Sequence, residues 1–264
     1  MEYIGYIAAI IIGISLGVIG AGGSILTIPV LVYLIGIPPI NATSYSLFIV
    51  GVSSLVGSIT YFKNNLVSLK TVLSFGVPSI ISVFLTRKFI LHTLPTNFHF
   101  DNIEFTKNTA LMILLAVLMI LSSYSMIKSQ KSAETYVLQK NKSYQTFMLF
   151  LQGISIGFIV ALVGAGGGFL IIPALVILAR LPMKNAIGTA LAIIMLNSWV
   201  GFFSDFKEHQ FDWKFLIAFS TFAVIGIFIG GYISKFISSS KLKPMFGWFV
   251  LVTGTYIILK EFFF

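Results

Sequence analysis

The chain contains no cysteine, which removes disulfides, thiolate metal ligands and thiol nucleophiles together. Charge is scarce as well. Only 9% of the residues are charged, against about a quarter in a soluble domain. No charged side chain occurs between Tyr3 and Phe62, or between Gln145 and Ala179. The acids are the rarer sign, 8 against 17 Lys and Arg, and none is placed deep in an apolar segment; Asp205 closes its segment near Lys207. Intramembrane carboxylates or histidines commonly carry protons in pumps, so a coupling proton, kept open as a second partner, has no obvious carrier. His92, His99 and His209 all fall in loops, and no paired carboxylates or Ser–His arrangement lie within the segments. That disfavours an intramembrane enzyme, and neither a metal nor a cofactor is called for.

What is present is apolar. The chain is 57% hydrophobic with a mean hydropathy of +1.00, and runs of about 20 apolar residues follow one another along its length. This predicts an all-α polytopic protein of the cell (inner or plasma) membrane, with the lipid bilayer as a partner. The net charge of +9 sits in the breaks between runs, where it sets topology and meets lipid headgroups rather than nucleic acid. Tyr3 to Val18 reads as mature structure rather than a signal peptide: Glu2 replaces the basic n-region and no A-x-A-like site follows.

The chain is organised around Gly20-Ala21-Gly22-Gly23-Ser24, followed by Pro29, and its copy Gly164-Ala165-Gly166-Gly167-Gly168, followed by Pro173. With an offset of 144, 21 of the 51 positions from Gly20 to Lys70 carry the same residue in the copy. The polar matches Asn41/Asn185, Ser54/Ser198, Lys63/Lys207 and Lys70/Lys214 are the persuasive ones. Such duplication is the usual sequence mark of secondary transporters.

The duplication defines two modules, residues 1–127 and 145–264, joined by a basic linker, 128–144. Each module holds four apolar segments, near Ile4–Ile35, Thr43–Phe62, Leu69–Leu85 and Thr109–Ile127 in the first. In the second they lie near Phe147–Ala179, Ile187–Phe203, Phe215–Ile233 and Met245–Leu259. The first segment of each is too long for one span and broken near its centre. Read as full spans, these segments split the Lys and Arg 8 to 9 between the faces; read as re-entrant hairpins, 6 to 11, with the linker on the richer, cytoplasmic side. The hairpin arrangement is preferred. It makes the fold two inverted repeats, each a glycine-broken helix pair plus three transmembrane helices.

The glycine clusters then become elbows whose tips meet near the midplane. Broken backbone is tolerated there only beside protein or a water-filled cavity. After each elbow a helix begins, and its first-turn N–H groups and positive dipole end suit a small anion. The candidate solute-binding residues are Gly20, Ala21, Gly22, Gly23, Ser24, Gly164, Ala165, Gly166, Gly167 and Gly168, with Thr43, Ser44 and Thr189 nearby and Asn197 deeper. Asn41 and Asn185 read as helix caps. Gly13-x-x-x-Gly17, Gly153-x-x-x-Gly157 and Gly226-x-x-x-Gly230 read as close-packing surfaces.

The duplicated G-A-G-G-S-x-L-x-I-P and G-A-G-G-G-x-L-x-I-P runs, with N-A-T-S and N-A-I-G-T downstream, resemble the TauE/SafE (TSUP) family of sulfite and organosulfonate transporters. The resemblance covers essentially the whole chain. It implies movement of small sulfur-containing anions such as sulfite, thiosulfate or sulfonates. The expectation is therefore a secondary anion transporter working by alternating access, with an anion channel of the same architecture as the runner-up.

Overall fold

The computed structural model describes residues 2–20, 22–93, 97–100, 103–128, 142–206, 210–234, 236 and 239–263. In the first module α1 (Glu2–Ile19) is followed by α2 (Gly22–Pro29), which runs on as a π-helical stretch, Val30–Leu34. Next come α3 (Pro39–Lys63) and α4 (Leu69–Ile90), the latter with π-helical stretches at Val72–Gly76 and Thr86–Ile90. An antiparallel hairpin of β1 (Asn97–Phe100) and β2 (Ile103–Thr106), paired from Asn97 with Thr106 to Phe100 with Ile103, leads into α5 (Lys107–Lys128). The second module repeats the order without a hairpin among its described residues: α6 (Lys142–Val163), α7 (Gly168–Ile177), α8 (Met183–Asp205), α9 (Trp213–Ser234) and α10 (Ser239–Phe263).

The membrane-embedded part is helical as expected. Among the described residues six helices are long and apolar enough to cross a bilayer. Their outer faces carry exposed Ile59, Leu73, Ile81, Leu121, Phe203 and Phe228, a surface suited to lipid rather than water. The short β-hairpin was not anticipated: the break it occupies has no long period-2 run to announce it. Most of the linker lies outside the described residues, as do Ala21, Lys207 and His209.

Both glycine elbows interrupt helix. Gly20 and Gly164 have φ of 80° and 74°, a left-handed conformation that costs other residues about 1–2 kcal/mol. Beyond the first elbow the chain doubles back. Gly23 packs on Ile12 and Leu16, and the Ile35 side chain reaches Gly5, so α2 returns along α1 as a hairpin.

The asparagines do not cap their helices. α3 and α8 begin at Pro39 and Met183, after Pro38 and Pro182, so Asn41 and Asn185 lie inside the first turn. Proline at the boundary already fixes φ and the chain's direction, leaving no cap for asparagine to make.

The bundle is assembled from pairs that repeat under the 144-residue offset. Gly13 packs on Ala223 of α9, and its copy Gly157 packs on Ser79 of α4, the copy of Ala223. The Asp212 N–H donates to the Tyr45 hydroxyl at 2.8 Å, while the Ser68 N–H donates to Thr189 Oγ1 at 3.0 Å. These bonds also exchange under the offset. Helices α3 and α8 cross antiparallel, with Ser44 against Asp205, Leu47 against Gly201 and Gly57 against Leu191.

The small-residue surfaces behave as close-packing seams. A Cβ at Gly13 would lie 1.9 Å from the Ala223 carbonyl oxygen, and one at Gly226 2.2 Å from that of Ile10. Gly13→Leu is therefore expected to separate α1 from α9. The yield of monodisperse protein on size-exclusion chromatography should fall severalfold, and an unchanged elution profile and melting temperature would contradict this packing.

Candidate functional site

The antiparallel α3/α8 pair is the frame on which the elbows rest. Gly20 abuts Ile187 near the start of α8, and Gly164 abuts Thr43 near the start of α3. Because the pair is antiparallel, those two points lie toward opposite ends of it. The elbow tips therefore do not meet at the midplane as the sequence suggested. Each tip rests near one end, and the chain climbs toward the centre beyond it, where Gly166 reaches Val50, Ile194 and Ser198. The physical reason is the length of α1 and α6: at 1.5 Å per residue, 18 and 22 residues carry each tip well past the middle of the bundle.

A cavity of about 450 Å³ lies beside the end of α1, just ahead of the first elbow, whose described residues do not line it. Its wall is made by Leu16 and Gly17 of α1, Gly57 and Tyr61 of α3, Ile187 and Leu191 of α8, and Ile227 and Gly231 of α9. Exposed Asn64 and Lys184 stand at its mouth. The cavity opens at the end of the bundle where α3 ends and α8 begins. Because α4 runs parallel to α8 (Ser79 meets Asn197 and Arg87 meets Asp205) and α6 runs parallel to α4, α6 starts at that same end.

At the second elbow the equivalent space is filled by Arg87, 0% exposed and paired with Asp205, 1% exposed. Arg87 Nε donates to the Ala161 carbonyl at 3.0 Å, and Nη1 donates to Asp205 Oδ2 and, at 3.4 Å, to Ser44 Oγ. Ser44 Oγ itself donates to Asp205 Oδ2 at 2.5 Å. Among the described residues Nη2 has no hydrogen-bond partner, and a Cβ on Gly164 would lie 2.7 Å from it, so the guanidinium faces the elbow. Asp205 Oδ1 is likewise without a partner.

This pair corrects one expectation: Arg87, counted with the basic residues of a membrane face, is inside the bundle. Asp205 does close α8, as expected, and is buried there. α4 does not stop at Leu85; the π-helical stretch Thr86–Ile90 continues it, and this stretch leaves Arg87 buried while its neighbour Lys88 is exposed. π-helical stretches are rare and concentrate at functional sites. The signal in the sequence was the departure from symmetry: under the offset Arg87 aligns with Gly231 and Asp205 with Tyr61.

The remaining candidates divide. Ser44 belongs to the Arg87 cluster, and Thr43 lies against Gly164 while donating to the Ile40 carbonyl at 2.8 Å. Thr189 Oγ1 accepts the Ser68 N–H at 3.0 Å. Ser24 is buried in α2. Asn197 donates to Ser79 Oγ at 2.8 Å, and its Oδ1, with the hydroxyls of Ser46, Ser53, Ser54 and Ser198, is buried without a partner among the described residues. Such a row of unmet polar groups along α3 and α8 is costly unless water or a polar solute visits it.

The profile of the family described as sulfite exporter TauE/SafE matches residues 5–261. A "Probable membrane transporter protein" of Xylella fastidiosa is 25% identical over 95% of the chain and 92% of its own length. Among similar proteins of Bacillus subtilis, YunE and YjnA are also called probable membrane transporter proteins. YunE is 22% identical over 98% of this chain and 99% of its own length, and YjnA is 25% identical over 94% and 96%. No solved structure matches.

Proposed function

The chain belongs to the sulfite exporter TauE/SafE family, and from that premise we propose that it is a secondary transporter of small anions. The substrates are sulfur-containing oxyanions such as sulfite, thiosulfate or sulfonates, moved by alternating access between two inverted modules, 1–127 and 145–264. The family and the multi-pass architecture make it a membrane transporter; substrate and mechanism are our reading. The observation that carries it is the unequal state of two equivalent spaces, one an open cavity beside Gly17 and the other filled by Arg87. A duplicated fold with one mouth open and one shut is what alternating access requires. The antiparallel α3/α8 crossing supports inversion, since copied helices that point opposite ways give modules of opposite orientation.

An anion is favoured over a cation because the described interior offers helix N-termini, serine hydroxyls and one guanidinium, whose only buried acid is already paired to it. Purified protein in liposomes should show saturable flux of sulfite or thiosulfate and none of a size-matched cation. Unsaturable flux at channel rates would replace the transporter by a channel, and no flux of any sulfur oxyanion or small carboxylate would remove the reading.

The orientation is testable separately. A tag in the 128–144 linker should be reachable only from the cytoplasm, and tags at both termini only from outside. The cavity mouth, at the linker end of the bundle, would then face the cytoplasm. Labelling of linker and termini from one face would exclude inverted modules.

A further inference from the structure

The two modules differ at one point in a way that the transporter reading leaves unused. Under the 144-residue offset the wall of the open cavity maps onto the packed space at the second elbow: Gly17 onto Ala161, Gly57 onto Gly201, Tyr61 onto Asp205, Ile187 onto Thr43, Leu191 onto Leu47 and Gly231 onto Arg87. The equivalence is spatial as well as sequential. The Gly231 amide lies 2.8 Å from where a Cβ on Gly17 would stand, and Arg87 Nε bonds the carbonyl of Ala161, the copy of Gly17. A Cβ at Gly231 would meet nothing within 4 Å among the described residues. Its copy Arg87 fills the corresponding space and reaches across to α8. Arg87 and its counter-ion occupy the space that is open in the first module.

We propose that Arg87 is both the gate of the mouth at the termini end of the bundle and its anion ligand, with Asp205 as a built-in stand-in for the transported oxyanion. The carboxylate occupies one edge of the guanidinium through Nη1, and Nη2 is left unpartnered toward the second elbow. A planar guanidinium accepts a carboxylate or a sulfur oxyanion by the same fork of N–H donors. Opening this mouth exchanges Asp205 for the anion, so the buried cation is never left without a partner. With no anion present the pair reforms and the mouth shuts. The first module needs no such device because Gly231 and Tyr61 stand in place of Arg87 and Asp205. The two mouths are therefore unequal: one is ion-locked and anion-responsive, the other is not.

This rests on the transporter reading, but its test does not need flux. Because the chain has no cysteine, single cysteines report access cleanly. With an impermeant maleimide, Leu191→Cys should react from the linker face in the otherwise unaltered protein, and Leu47→Cys, its copy, should be inert from both faces. Adding Asp205→Asn should raise Leu47→Cys labelling from the termini face at least tenfold, and sulfite or thiosulfate should slow that labelling. Adding Arg87→Gln together with Asp205→Asn should keep the labelling and lose the slowing by anion. In the first module, Gly231→Arg with Tyr61→Asp should build the missing pair and suppress Leu191→Cys labelling.

Unchanged Leu47→Cys labelling on Asp205→Asn overturns the gate. Labelling that rises but ignores sulfite, thiosulfate and sulfate, or is slowed equally without Arg87, overturns the anion role. Absence of flux with these labelling results intact would instead count against the transporter reading alone.

Discussion

Replacing Arg87 by methionine is expected to destabilise the folded protein by about 3–5 kcal/mol, because it leaves the Asp205 carboxylate buried without its cation. Asp205 is 1% exposed, and the one other bond it keeps comes from Ser44. Much of that loss should return in the double variant Arg87→Met/Asp205→Leu, in which apolar side chains of similar volume replace the pair. Transport should not return with it, since the cation is gone. Unfolding in detergent, run as a double-mutant cycle beside uptake in liposomes, separates the two quantities. A single-variant loss below about 1 kcal/mol, as for a solvated surface pair, would show that the pair is not buried in the working protein.

Gly166→Leu is expected to reduce uptake to background while the protein still inserts. Gly166 has φ of 64°, and a Cβ there would lie 2.7 Å from Val50 Cγ1 and 3.1 Å from Ser198 Oγ. A leucine adds the strain of a left-handed residue, about 1–2 kcal/mol, and pushes α3 and α8 apart where the unpartnered serines lie. Gly166→Ala should sit between wild type and leucine. Gly22→Leu, at the copied position, should match the leucine variant if both elbows serve the pathway. The check is uptake normalised to protein in the membrane fraction, and normal uptake in Gly166→Leu would remove the elbow from the mechanism.

Particular residues show how far the sequence could be read. The glycine clusters were legible because four adjacent small residues inside an apolar run cannot continue a helix that must satisfy its own backbone in lipid. The packing seams at Gly13, Gly17, Gly226 and Gly230 were legible for a related reason: small residues spaced four apart on a helix share a face. The role of Asn41 was misjudged because a side chain's local partner depends on where the turn ahead of it ends. The β-hairpin between α4 and α5 went unseen because four-residue strands carry too little periodicity.

The sequence by itself determined that the chain lies in a membrane, that it is duplicated, and that each copy breaks at its glycines. These follow from hydropathy, from matched residues at a fixed offset, and from the backbone chemistry of glycine, all of which are local. Tertiary structure alone decided where the elbow tips rest and that Arg87 meets Asp205, 118 positions further along the chain. A charge near a helix end reads as interfacial until it is known which helices cover it. Here α8 supplies the counter-ion and α6 the carbonyl that together make burial of a guanidinium tolerable.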